Sequence, residues 1–491
     1  MLADRRVKIV ATAGPSLNTY DQVCQALKAG MNVTRLNFSH GTQEQHAQVI
    51  KNLRQASMDH KAPLGVLQDL QGPKIRVGSF AGGGVELVEG ETVTISANFK
   101  IGRKGEIPTD FGPLPSACRP GTRILLDDGL MELRVQAVQG SQVRAEVVYG
   151  GYLKDRKGMN LPGANLPIEP MTPKDLDDLQ FGLRQAVDYV ALSFVRRGKD
   201  IRDLRELIHQ HRPGTKIIAK IEMLEALDHL EEIIDLSDGV MVARGDLAVE
   251  VGQSQLPILQ KSIIRLCNEA ARPVITATQM LDSMVENPRP TRAEITDVAN
   301  AVLDGSDALM LSAESASGKH PFKCIQTMHE IISEVEKSSS FFDAIEVSSE
   351  PVEVAQAIAA SACLTALKIK ASAIVCLTST GKTATMISSY RPSAKIIAVT
   401  TELETLNRLE LAWGIQTFAI KAYASAEEAM KQIEATLITY GLVKDKESIV
   451  LTFGSPVMER AKTNALRVYE LRGGNCLQPL KSEDLPLRCR P

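Results

Sequence analysis

No stretch of the chain approaches the ~18 uninterrupted apolar residues that a membrane-spanning helix needs. The first twenty residues carry Asp4, Arg5, Arg6 and Lys8 where an export signal would have an apolar core. Neither membrane insertion nor export is expected. Charge of one sign is missing too: net charge is −3 with 23% charged residues, which leaves no basic footprint for nucleic acid and no acidic tail. The eight cysteines (24, 118, 267, 324, 363, 376, 476 and 489) contain no C-x-x-C pair, so neither a disulfide framework nor a zinc site is indicated. None of the eight histidines has metal-ligand spacing, and His40 with His46 reads as surface or site lining. A P-loop is absent as well. The segment Thr378-Ser-Thr-Gly381-Lys382-Thr383 resembles the end of one, but the required first glycine falls on Cys376. A reduced, cytoplasmic chain with no nucleic-acid or membrane partner is the expectation.

What is present is length and rhythm. The 491 residues allow about three domains. Short β-branched runs, each followed by a helical pattern, begin at Lys8-Ile-Val-Ala-Thr12, Asn32-Val-Thr-Arg-Leu-Asn-Phe38 and Leu64-Gly-Val-Leu-Gln-Asp69. They resume at Tyr189-Val-Ala-Leu-Ser-Phe194, Lys216-Ile-Ile-Ala-Lys-Ile-Glu222, Gly239-Val-Met-Val-Ala243, Pro273-Val-Ile-Thr-Ala-Thr278 and Ala308-Leu-Met-Leu-Ser312. Eight such units are the count of a closed parallel (β/α)8 barrel, a TIM barrel, with reactive residues at the C-terminal strand ends; an open doubly wound sheet is the alternative. The interruption, residues 71–167, holds strand-like Glu91-Thr-Val-Thr-Ile-Ser96, Arg123-Ile-Leu-Leu126 and Val143-Arg-Ala-Glu-Val-Val148 between Gly and Pro turns. It reads as an inserted β-barrel-like domain leaving the barrel after the third strand, either a lid over the mouth or a structural ornament. Residues 1–70 and 168–340 then form the barrel. Residues 341–472 form a C-terminal open α/β domain, with strands at 373–377, 395–399, 417–420 and 448–452, and 473–491 a polar tail.

Strand periodicity points Lys220 and Glu222 to one side and Ile221 to the other. Taken alone, such a pair is most often a solvated strand edge. A following strand ends Ala243-Arg-Gly245-Asp246, bringing a second carboxylate and a glycine amide to the same mouth. Two carboxylates suit Mg²⁺ (or Mn²⁺), which keeps room for substrate oxygens. Lys220 is then free to neutralise a transferring phosphoryl group. Arg35, with Asn37 and Ser39 alternating beside it, offers an anion-recognition strip. Thr276-Ala-Thr278-Gln279 and Ser312-Ala-Glu314 are either substrate contacts or helix caps. The loop at Thr378–Thr383 lies between a strand and a helix, where amides and the helix dipole can hold phosphate; a structural turn is the other reading.

These strips, in this order, resemble the pyruvate kinase family: Gly30-Met-Asn-Val-Thr-Arg-Leu-Asn-Phe-Ser-His-Gly41, Lys216-Ile-Ile-Ala-Lys-Ile-Glu222, Asp238-Gly-Val-Met-Val-Ala-Arg-Gly-Asp246 and Ala277-Thr-Gln-Met-Leu281. Gly72-Pro-Lys-Ile-Arg76, Lys157-Gly-Met-Asn-Leu-Pro-Gly163, Pro290-Thr-Arg-Ala-Glu294 and Thr463-Asn464 extend the resemblance. It implies transfer of phosphate from phosphoenolpyruvate to ADP, giving pyruvate and ATP. Lys220 would stabilise the phosphoryl, Glu222 and Asp246 would hold Mg²⁺, and Arg35 would grip phosphate. The Gly245 and Asp246 amides would orient substrate, with Thr278 near the protonated carbon. Asn37, Phe38, Ser39, His40, Arg76 and Lys157 would face nucleotide. The family also implies a homotetramer and an effector, a sugar phosphate or nucleotide, at Ser379, Thr380, Lys382 and Thr383.

One departure bears on cations. Many family members carry Asp-Thr-Lys-Gly-Pro-Glu-Ile-Arg and need K⁺, whereas this chain has Asp69-Leu-Gln-Gly-Pro-Lys74-Ile-Arg76. An ammonium at Lys74 replaces the charge of K⁺ and repels a nearby cation by ~4 kcal/mol at an effective dielectric near 20. K⁺-independent activity is therefore expected. The alternative leaves Lys74 solvated beside a monovalent-cation site of Asn37, Ser39, Asp69 and the Leu70 carbonyl. Met223, Ala248 and Ser315 depart from the family pattern without replacing a charged group. A metal-dependent lyase, or a sensor on an inactive scaffold, would share parts of this pattern; ADP-independent cleavage or silence would reveal them.

Overall fold

The computed structural model describes residues 5–164, 168–338, 351–457 and 462–471. The expected tail at 473–491 and the expected boundary at 340/341 lie outside those residues. Eight short parallel strands appear where the β-branched runs fall: β1 (Lys8–Thr12), β2 (Val33–Asn37), β3 (Gly65–Asp69), β4 (Tyr189–Leu192), β5 (Lys216–Ile221), β6 (Gly239–Ala243), β7 (Val274–Ala277) and β8 (Ala308–Leu311). They pair in chain order, and β8 returns to β1 with Lys8 opposite Ala308, closing the barrel and excluding the open sheet.

Alternation along each strand sorts the residues. Val10, Val33, Leu67, Ile218, Met241, Ile275 and Met310 fill the barrel interior, while their neighbours Ile9, Val66, Ile217, Val240 and Leu309 pack outward against the helices. The surrounding helices start where threonine can accept from the backbone. Thr19, Thr42, Thr172 and Thr291 each close a capping box with Gln22, Gln45, Asp175 and Glu294.

The insertion between β3 and β4 has its own core. Its six-stranded sheet runs, in spatial order, Met159–Asn160, Arg123–Leu126, Met131–Gln139, Gln142–Tyr149, Thr92–Ser96 and Glu106–Pro108, with a separate ribbon of Gly84–Leu87 and Gly151–Lys154. It curls without closing strand to strand. Met131–Gln139 escapes the sequence reading because its outward positions carry Arg134 and Gln136, which break the apolar run.

The C-terminal sheet orders Ile415–Ala419, Lys395–Thr400, Ala373–Leu377 and Ser448–Phe453 in parallel, then adds an antiparallel edge, Ala465–Glu470. That edge is largely exposed, so its sequence lacks the buried apolar signature. Leu411 of this domain enters the barrel interior with Val33, Leu67 and Ile218. Tyr189 at the start of β4 donates its hydroxyl to the Arg408 carbonyl, and Lys8 reaches the Ile415 carbonyl at 2.7 Å. The C-terminal domain thus plugs the barrel floor, opposite the strand ends that carry the charged residues.

Candidate active site

The parity that sends Ile218 inward also turns Lys220, and Glu222 just past the strand end, into the barrel mouth. On β2 and β3 the same alternation brings Arg35 and Asp69 there. Lys220 Nζ lies 2.9 Å from Glu222 Oε1, 3.2 Å from Asp69 Oδ1 and 2.7 Å from Ser193 Oγ. Arg35 Nε donates to Asp69 Oδ2 at 2.6 Å. Glu222 Oε2 accepts the Phe194 backbone N–H at 2.7 Å.

Electrostatics here are set by burial and by neighbours of alternating sign. Burial opposes the Lys220 charge, yet Asp69 and Glu222 outweigh it and raise its pKa, so the ammonium stays charged. Burial works against the Asp69 carboxylate, but Lys220 and Arg35 hold it below its usual value. Glu222 moves the other way. Burial pushes its carboxyl up, Lys220 opposes, and the charge of Asp246 adds to the rise.

Asp246 stands in the first turn of helix Arg244–Val251, directly after β6. Lys74, from the outgoing connection of the inserted domain, sits 3.3 Å from its Oδ1. The Gly245 N–H donates to Thr278 Oγ1 at 2.9 Å, and Thr278 donates to the Ala277 carbonyl at 2.6 Å. Thr278 holds φ at +70° and Phe194 at +55°, conformations that β-branched and bulky residues rarely adopt outside constrained sites.

Asn37 and His40 line a cavity of about 740 Å³ whose other walls include Ala13, Tyr20, His46 and Asn52. Ser39 donates its N–H to Asn37 Oδ1 at 3.1 Å. Phe38 does not line that cavity; its ring is buried and stacked on His46 with centroids 4.2 Å apart, because its strand parity is opposite to that of Asn37. Arg76 and Lys157 lie on the inserted domain, where Lys157 pairs with Asp127 at 2.8 Å and the Arg76 N–H with Asp110 at 3.0 Å. The Leu70 carbonyl accepts Ser193 Oγ at 2.7 Å. Glu314 accepts the N–H groups of Ser312 and Leu281, and the helix Ala313–Ala316 that follows has no side-chain cap.

Sequence reasoning missed Ser193 and Phe194 as partners of Lys220 and Glu222. Their signal was the end of β4, the same position in the barrel that marked the other site residues. In the C-terminal domain, Thr378, Ser379, Thr380, Lys382 and Thr383 line a cavity of about 210 Å³ at the start of helix Lys382–Ser389. Lys462 also lines it and was not anticipated.

Two family models match the chain: pyruvate kinase, barrel domain, over residues 4–325, and pyruvate kinase, alpha/beta domain, over 356–469. The chain belongs to the pyruvate kinase family. It is 42% identical over 470 residues to the pyruvate kinase of Geobacillus stearothermophilus, covering 95% of this chain and 80% of that one. It is also 42% identical over 484 residues to that of Agrobacterium vitis, covering 97% and 98%. A crystal structure of a pyruvate kinase from Cryptosporidium parvum superposes with a TM-score of 0.89 at 35% identity, over 96% of this chain and 97% of that one. The protein is accordingly a phosphotransferase.

The pyruvate kinase family implies a divalent metal, and the donor set at the mouth fits one. The Asp246 charge adds to the cost of ionising buried Glu222, a cost that a divalent cation between hard oxygen ligands removes. Among the described residues no group of three or more His, Cys, Asp or Glu could hold a metal. Two carboxylates leave the remaining positions to substrate oxygens and water.

Proposed function

We propose that this chain moves the phosphoryl group of phosphoenolpyruvate to ADP and releases pyruvate and ATP. The observation that carries the reading is Lys220, a buried ammonium held by Asp69, Glu222 and Ser193 beside Arg35. A charge preorganised in this way needs no rearrangement when negative charge spreads over the transferring group. Arg35 grips the phosphate, and Gly245 and Asp246 orient the carboxylate end. Thr278, held in its strained turn, stands where a proton reaches the enolate carbon. Mg²⁺ or Mn²⁺, held by Glu222 and Asp246, supplies charge neutralisation for substrate oxygens. ADP occupies the cavity beside Asn37 and His40, with Arg76 and Lys157 facing it from the inserted domain, which acts as a lid. Coupled detection of pyruvate from phosphoenolpyruvate, with and without ADP and Mg²⁺, tests this; cleavage without ADP refutes it.

The reading extends to cations and control. The Lys74 ammonium at the mouth supports turnover without K⁺, and strong activation by KCl in a Na⁺- and K⁺-free assay would overturn that. The cavity at Ser379, Thr380, Lys382 and Thr383 supports binding of a sugar phosphate or nucleotide effector. Lys382→Glu then abolishes activation by that effector; unchanged activation removes the assignment. A homotetramer, the assembly the family resemblance implies, is measured by sedimentation. The free cysteines of the described residues are in keeping with a cytoplasmic setting, and among those residues no helix is long and apolar enough to cross a membrane.

A further inference from the structure

Glu250 lies one turn after Asp246 on helix Arg244–Val251 and is only 6% exposed. Three donors favour its ionised form: the Asn160 side-chain amide and the backbone N–H groups of Leu224 and Gly163. They come from different parts of the fold. Asn160 and Gly163 belong to the returning connection of the inserted domain, and Asn160 pairs with Leu125 in that domain's sheet. Leu224 opens the helix that starts two residues after Glu222. The outgoing connection reaches the same helix through Lys74 and Asp246. A small cavity of about 40 Å³, lined by Pro73, Lys74, Asn160, Leu161, Met223 and Glu250, separates these segments.

We propose that Glu250 is a positioning residue that ties the lid to both metal-binding carboxylates, so that movement of the lid and ordering of Glu222 and Asp246 are one event. A carboxylate is a costly choice for a merely structural joint. Among the described residues Oε2 has no hydrogen-bond partner, and a buried, incompletely paired acceptor destabilises the fold. Burial pushes the carboxyl up to about 7, with Asp246 adding to the rise against the three donors. Lys74 and Arg196 are the cations that share the cavity wall. The cost persists where three segments of the fold meet, and a shift of the Asn160 segment by the length of a hydrogen bond is what would complete the pairing.

The inference rests on Glu222 and Asp246 holding the metal. Turnover of the unmodified protein without any divalent ion would sink that reading; a Mg²⁺-dependent protein allows this one to be tested separately. In Glu250→Gln the half-saturating Mg²⁺ concentration and the KM for ADP rise about tenfold, the scale of one charge-assisted hydrogen bond, while kcat changes less. In the metal-free full chain, amide hydrogen exchange at 158–163 and 223–225 speeds up, and the Tm does not fall. Unchanged exchange and constants overturn the proposal, as does a matching loss accompanied by a lower Tm. Asn160→Ala attacks the same joint from the lid and reproduces the effect even if Glu250→Gln folds poorly. In the double variant the effects do not add, whereas additive effects assign the two residues to separate roles and refute the coupling.

Discussion

Replacing Lys220 by methionine keeps the length and most of the volume of the side chain and removes a charge that sits within 3.2 Å of both Asp69 and Glu222. Two consequences separate cleanly. The first is stability. Breaking a buried ion pair by deleting one partner costs about 3–5 kcal/mol. Asp69 keeps Arg35 and Glu222 keeps the Phe194 N–H, so the lower end, ~3 kcal/mol, is expected. The second is catalysis. Loss of a preorganised cation at the transferring phosphoryl costs about 10³-fold or more in kcat, on the order of 4 kcal/mol. The pH dependence distinguishes this pairing from bulk effects. Lys220 has its pKa raised by folding, so its contribution is complete below the ordinary lysine range and is lost only as pH rises through the raised value. Asp69 is depressed, so its contribution is present above ~3.9 and is lost as pH falls. The stability gap between the two proteins therefore narrows in acid, where Asp69 and Glu222 take up protons and no longer need the ammonium. Thermal unfolding across pH, with coupled pyruvate assays at neutral pH, measures both. A variant with more than a tenth of the original kcat, or with a gap that widens in acid, refutes the assignment of Lys220.

Further outcomes follow from single contacts. Gly72 holds φ at +69°, and a Cβ there would lie 2.7 Å from the Phe194 ring and 2.9 Å from Ser193 Cβ. Gly72→Ala therefore displaces the residue whose amide holds Glu222, lowering kcat at least tenfold by steady-state kinetics and adding strain of about 1–3 kcal/mol. Thr278→Ala removes the hydroxyl that bridges Gly245 N–H and the Ala277 carbonyl. Turnover falls by about 10²-fold with little change in KM for ADP, and equal losses in both would place Thr278 in nucleotide binding instead. Leu411→Ala empties part of the barrel floor and costs about 2–5 kcal/mol in denaturant unfolding; an unchanged midpoint would detach that plug from barrel stability. For Glu250, a carboxyl raised to about 7 contributes stability that is present below ~4.3 and is lost as pH rises through 7. Glu250→Gln removes that slope, so the Tm of the variant gains on that of the unmodified protein between pH 5 and 8. Parallel curves would deny the shift.

Much of this molecule was legible before any coordinates. The eight β-branched runs marked the barrel strands to within one or two residues, because a strand buried between a packed interior and a helical layer tolerates little else. The period of two along Lys216-Ile-Ile-Ala-Lys-Ile-Glu222 put Lys220 and Glu222 on one side, and the order of the strips carried the family. What failed shares a cause. The edge strand Ala465–Glu470 and the strand Met131–Gln139 of the inserted domain are exposed on one side, so polar residues hide their pattern.

Only the tertiary structure decided which charges meet. Closure of the barrel places Asp69 of β3 beside Lys220 of β5 across the intervening β4, and the outgoing connection of the inserted domain brings Lys74 to Asp246, 172 residues away. Periodicity along a chain determines which way a side chain points. The distance between two residues that point the same way depends on how the sheet closes and where an insertion folds back. The chemistry of the mouth was thus written strand by strand in the sequence, and its pairing was written in the fold.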